Sequence, residues 1–149
     1  MSITTVGLDA DDTLWHNETI FRLTHARFVD LLDDPGDAAT IEARLAEYVG
    51  VEHCIALSSG TDALLVAMMA LDIGPGDEVI VPAFTWVATA NAVEHCGATP
   101  IFCDIHLDTF NVDVDQVESL ITGRTVGLLP VHLFGLCADL GRLRQIAGR

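Results

Sequence analysis

With 149 residues, half of them apolar and 19% charged, the chain is long enough for one domain with a buried core and too apolar to be disordered. A net charge of −15, with seven Arg and no Lys, excludes nucleic acid as a partner, because a polyanion needs a basic face. The longest apolar run, residues 63–71, is far short of a membrane span, and the first residues carry no basic or apolar leader pattern; a cytoplasmic protein without a membrane partner is expected.

Thr4-Thr5-Val6-Gly7-Leu8 is a short β-prone run that ends in Asp9-Ala10-Asp11-Asp12-Thr13-Leu14. Carboxylates two apart at a strand exit both reach a bound phosphate, one to attack and one to move protons, although simple capping of the next turn explains them as well. Asn17 to Leu32 places Ile20, Phe21, Leu23, Phe28, Leu31 and Leu32 on or near one stripe, the pattern of an amphipathic helix. Asp33-Asp34-Pro35-Gly36-Asp37 is a turn-rich seam that divides residues 1–35 from 36–149. A new helix begins at Thr40, with Ile41, Leu45, Tyr48 and Val49 on one face, and stops at Gly50.

From there the pattern alternates. Strands are predicted at 54–57, 78–81, 99–104 and 125–132, and helices at 61–71, 86–96, 114–121 and 139–147. Apolar strands joined by helical crossovers imply an α/β fold, with a mostly parallel sheet between two helical layers. Asp113 and Gln116 carry the signal of a helix start. Ser59 and Asp62 read as a capping box, with both side chains serving amides at the start of the next helix. The stretch Ser58-Ser59-Gly60-Thr61-Asp62 thus stands between a strand and a helix. Free amides and the helix dipole make such a junction an anion site, and Gly60 allows close approach to the backbone. A well-capped helix start with no ligand fits the same five residues. Cys54, Cys96, Cys103 and Cys137 form no C-x-x-C pair, so reduced structural thiols are expected in preference to zinc ligands.

Two resemblances attach to these motifs. Residues 1–35, on the strand followed by Asp9-x-Asp11-x-Thr13-Leu14 and Trp15-His16-Asn17-Glu18, resemble the first motif of the haloacid dehalogenase superfamily. That resemblance implies Asp9 as phosphoryl-accepting nucleophile and Asp11 as general acid/base, with Mg²⁺ held at Asp9 and Asp11. Residues from about 36 to 149 resemble the DegT/StrS-type sugar aminotransferases. The matching words include Ser59-Gly60-Thr61-Asp62-Ala63-Leu64, Gly74-Pro75-Gly76-Asp77-Glu78-Val79, Phe84-Thr85-Trp86-Val87-Ala88-Thr89-Ala90-Asn91 and Pro130-Val131-His132-Leu133-Phe134-Gly135.

This second resemblance implies part of the large domain of the aspartate-aminotransferase fold (fold type I), preceded by a strand–helix segment. It implies pyridoxal phosphate as cofactor and a keto sugar nucleotide as substrate. Gly60 and Thr61 are assigned to the cofactor phosphate, and Trp86 to stacking on its pyridine ring. A core or interface aromatic is the plainer reading of Trp86. The family's ring-pairing Asp and cofactor-bonding Lys are expected past Arg149, so the chain reads as a truncated homologue, inactive alone and binding pyridoxal phosphate non-covalently at most. The alternatives are a Mg²⁺-dependent phosphatase using Asp9 and Asp11, and a non-enzymatic chimera that self-associates through open sheet edges as a homo-oligomer.

Overall fold

The computed structural model of the chain describes residues 38–148. The predicted strand 4–8, the helix 17–32 and the carboxylates Asp9 and Asp11 lie outside the described residues. In chain order the elements are α1 (Ala38–Val49), α2 (Gly60–Ala70), β1 (Glu78–Pro82), α3 (Ala88–His95), β2 (Thr99–Cys103), α4 (Val114–Leu120), β3 (Thr125–Leu128), a 3₁₀ turn (Leu133–Gly135) and α5 (Leu140–Ala147).

Local chemistry accounts for most of these boundaries. α1 stops because Gly50 turns left-handed, at φ 77°, and the amides of Gly50 and Val51 fold back onto the carbonyls of Glu47 and Ala46 at 3.3 and 3.0 Å. α4 and α5 start on aspartates, Asp113 and Asp139, whose carboxylates accept the amides of Asp115 and Arg142. Strand β3 is shorter than the predicted 125–132. Leu129 still donates to the Ile80 carbonyl at 2.9 Å, but Pro130 has no N–H to continue the ladder and the chain turns away.

The three strands are parallel, in the order β2-β1-β3, with Ile80 opposite Ile101 on one side and Leu128 on the other. β1 is central and buried along its whole length. Its alternating side chains divide two cores. Val79 and Val81 face Leu64 and Met68 of α2 and Ala92 and Val93 of α3, whereas Ile80 and Cys103 face Val114 and Val117 of α4 and Leu143 and Ile146 of α5. The predicted three-layer arrangement follows directly, because a strand that is apolar on both faces is stable only between two helical layers.

One predicted strand is absent. Residues 54–57 are irregular, and Ile55 and Leu57 are exposed. Composition supplied the apolar run, but among the described residues no strand lies beside it. The Ala56 amide donates to the Glu42 carboxylate of α1 at 2.8 Å. The capping box is also half realised. The Ser59 hydroxyl accepts the Asp62 amide at 3.1 Å, but the Asp62 carboxylate takes the Ser58 hydroxyl and not a helix amide. The two serines hold that carboxyl below its usual range, Ser58 first.

Candidate functional site

Strand order locates the site. β1 leads to α3 on one face of the sheet, and its neighbour β3 leads to α5 on the other, so their exit loops part at the carboxyl end. In open α/β sheets such a reversal opens a crevice suited to a ligand. The β1 exit loop carries Phe84, Thr85 and Trp86, and the β3 exit loop carries Pro130 through Gly135.

Trp86 is 62% exposed, and among the described residues its indole stacks on no other ring. That exposure excludes the core half of the plainer reading and fits its interface half. Its loop is anchored on both flanks. The Ala83 amide donates to the Cys103 carbonyl at 2.8 Å, the Thr89 amide to the Trp86 carbonyl at 3.1 Å, and the Thr85 and Thr89 hydroxyls lie 3.3 Å apart.

Gly60 and Thr61 open α2. This helix lies on the same face as α3, and residues 71–77 deliver its far end to the amino end of β1, so its first turn points towards the carboxyl end. Ser59 Oγ takes the Asp62 amide and the Ser59 carbonyl takes the Ala63 amide, while the amides of Gly60 and Thr61 meet no acceptor among the described residues. Gly60 is not among the left-handed glycines. The structure thus brings Gly60, Thr61 and Trp86 to one end of one face.

Sequence reading missed Asn111 and His132. Asn111 is buried, donating from Nδ2 to the Leu136 carbonyl at 3.0 Å and accepting the Leu133 amide on Oδ1 at 3.2 Å. It therefore pins the 3₁₀ turn to the segment that follows β2. His132 Nδ1 accepts the Ala138 amide at 3.1 Å, which in the neutral ring leaves the hydrogen on Nε2. His132 stands in a family-like word of the sequence, but the partners of both are residues they meet only on folding.

The thiols are free and scattered, with Cys103 buried in the sheet, where desolvation pushes its pKa up. His106, Asp113 and Asp115 place ligand atoms within 4.8 Å of one another. Asp113 already caps α4 and holds the Gln116 side chain, and Asp115 already pairs with Arg142 at 2.6 Å.

Comparison with known proteins agrees with this architecture. The profile of the DegT/DnrJ/EryC1/StrS aminotransferase family matches residues 30–149. The chain is 49% identical over 108 residues to GDP-perosamine synthase of Caulobacter vibrioides, covering 72% of this chain and 29% of that protein. It is 47% identical over 113 residues to UDP-2-acetamido-2-deoxy-3-oxo-D-glucuronate aminotransferase of Pseudomonas aeruginosa, covering 76% of this chain and 32% of that protein. Among solved structures, S. venezuelae DesV in complex with a ketimine intermediate superposes with a TM-score of 0.74 at 42% identity, covering 86% of this chain and 36% of the other. NtdA of Bacillus subtilis, with its cofactor PMP bound, gives 0.75 at 35% identity, covering all of this chain and 36% of the other. The chain therefore spans about a third of the length of these relatives. These matches give no support to the hydrolase resemblance of residues 1–35 or to Mg²⁺.

Proposed function

The chain belongs to the DegT/DnrJ/EryC1/StrS aminotransferase family, and on that premise we propose that it carries the gripping half of a pyridoxal phosphate site. The two open amides at the start of α2 carry the reading. The N–H groups of Gly60 and Thr61 donate to the cofactor phosphate, with the helix dipole behind them, and the exposed indole of Trp86 lies against the flat face of the pyridine ring. Orientation comes from holding the ligand at both ends. The bound cofactor supplies an electron-withdrawing ring for amine chemistry. This chain supplies no lysine, and so no side-chain amine to bond the cofactor covalently. Its own residues bind and orient; they do not move the proton that transamination requires.

In a complete enzyme of this family we infer a keto sugar nucleotide as amino acceptor, in keeping with the names of the two sequence relatives. The exposed apolar side chains Ile55, Val66 and Met69 favour self-association, which size-exclusion chromatography reads directly.

Titration with pyridoxal phosphate, followed by quenching of tryptophan emission, tests the cradle. Gly60 is the first residue of α2, where proline is tolerated while removing the amide donor. Because a hydrogen bond to a charged group contributes about 1.5–3 kcal/mol, Gly60→Pro is expected to weaken binding by ~10- to 100-fold with helix content unchanged. Equal affinity in parent and variant overturns the assignment, as does a borohydride-stable adduct on a side chain of this chain.

A second reading rests on residues 1–35 alone and on the Asp9-x-Asp11-x-Thr13-Leu14 spacing. It predicts Mg²⁺-dependent hydrolysis of a simple phosphate ester that Asp9→Asn abolishes, and absence of turnover ends it.

A further inference from the structure

Three phenylalanines from three different strand exits meet at the carboxyl end of the sheet. Phe84 follows β1, Phe110 lies in the excursion after β2, and Phe134 sits in the 3₁₀ turn after β3. The Phe84 and Phe110 ring centroids are 5.6 Å apart and tilted by 40°, and those of Phe110 and Phe134 are 5.9 Å apart at 80°, both within the range of favourable aromatic pairs. Two of the three occupy left-handed backbone, Phe110 at φ 58° and Phe134 at φ 54°, a rare conformation for a bulky side chain. Such strain persists only where the surroundings over-determine it. Here they do so. The Phe110 amide donates to the His106 carbonyl at 2.7 Å, and Asn111 bonds to Leu133 and Leu136 on either side of Phe134.

Burial is a weak explanation for the trio, because the rings remain 49%, 38% and 49% exposed. Position is a better one. Phe84 stands two residues before Trp86, whose own ring packs on no other among the described residues, so the place of the indole depends on what fixes its loop. We propose that Phe84, Phe110 and Phe134 form an aromatic clamp that holds the Trp86 loop in register with the other two strand exits and so sets the position of the indole. The three are positioning residues, with Phe110 as the hinge pin because it touches both others. The benefit to cofactor affinity rests on the cradle proposed above; the ordering of the loop does not.

The test places Trp86 alone by Trp15→Phe, since the chain has two tryptophans. Phe110→Gly then removes the central ring at a φ that glycine adopts freely, so backbone strain does not confound the result. In the ligand-free protein the fluorescence anisotropy of Trp86 is expected to fall. If the loop is then in place only about a tenth of the time, apparent affinity for pyridoxal phosphate falls about tenfold. Phe110→Tyr, which keeps the ring, is expected to restore both readouts. Should Phe110→Gly unfold, Phe84→Leu gives the same comparison while keeping the site apolar. Anisotropy equal to that of the parent in a folded ring-deleted variant overturns the clamp. A parent that binds no pyridoxal phosphate overturns the cradle and leaves the anisotropy result to decide the clamp by itself.

Discussion

Cys54-Ile55-Ala56-Leu57 and Val79-Ile80-Val81-Pro82 are two apolar tetrapeptides that read alike in the sequence and end in opposite conditions. Ile80 is 2% exposed between two strands and two helical layers, whereas Ile55 is 74% exposed in an irregular segment whose Ala56 amide bonds to Glu42 of α1. A strand is a relation to neighbours, and its backbone groups are satisfied only by a ladder on at least one side. β1 has two such partners. Residues 54–57 have none among the described residues, so the same apolar content stabilises one segment and leaves the other facing solvent.

The largest effect that sharpens this contrast is core truncation. Ile80→Ala is expected to destabilise the fold by about 2–5 kcal/mol in urea unfolding, against less than about 0.5 kcal/mol for Ile55→Ala. Comparable losses at the two sites would show that residues 54–57 are in fact packed. Next comes Asn111, whose side chain joins the exits of β2 and β3. Asn111→Ala leaves the buried Leu133 amide and Leu136 carbonyl without their partner, with an expected cost of about 1–3 kcal/mol in the same assay.

Ser59→Ala removes the cap that separates residues 54–57 from α2 and is expected to cost about 1 kcal/mol, seen as a loss of helical circular dichroism on mild heating. The smallest effect is one of pH at the amino end of β1. Glu78 is buried, accepting the Thr122 hydroxyl at 2.5 Å and pairing with Arg124 at 2.5 Å. The Thr122 bond, aided by Arg124, holds its pKa below the ordinary glutamate value. A depressed carboxyl contributes stability above its unfolded pKa and loses it as pH falls through the folded value. Glu78→Gln is therefore expected to flatten the acid limb of the Tm-against-pH curve; an unchanged limb would remove Glu78 from that account.

Much of the fold was legible because its signals are local. Gly50 ending α1, Asp113 and Asp139 starting α4 and α5, and the helix opened by Ser59 each depend on contacts within a few residues. The proposed cradle residues Gly60, Thr61 and Trp86 come from the resemblance to family motifs, which is a property of short words in the chain. The ring trio and the Asn111 staple were not. Phe84 and Phe110 are far apart in the chain, and nothing local marks Phe110 as left-handed or Asn111 as buried.

By itself, the sequence determined the alternation of apolar runs, most helix ends and a chain with no lysine, because periodicity, capping and composition are properties of neighbours in the chain. Tertiary structure alone decided which apolar run became a strand, where the Asp62 carboxylate bonded, and how three exit loops came to share one set of rings. Those outcomes depend on which distant groups are brought within a few ångströms, and a one-dimensional pattern carries no such distance.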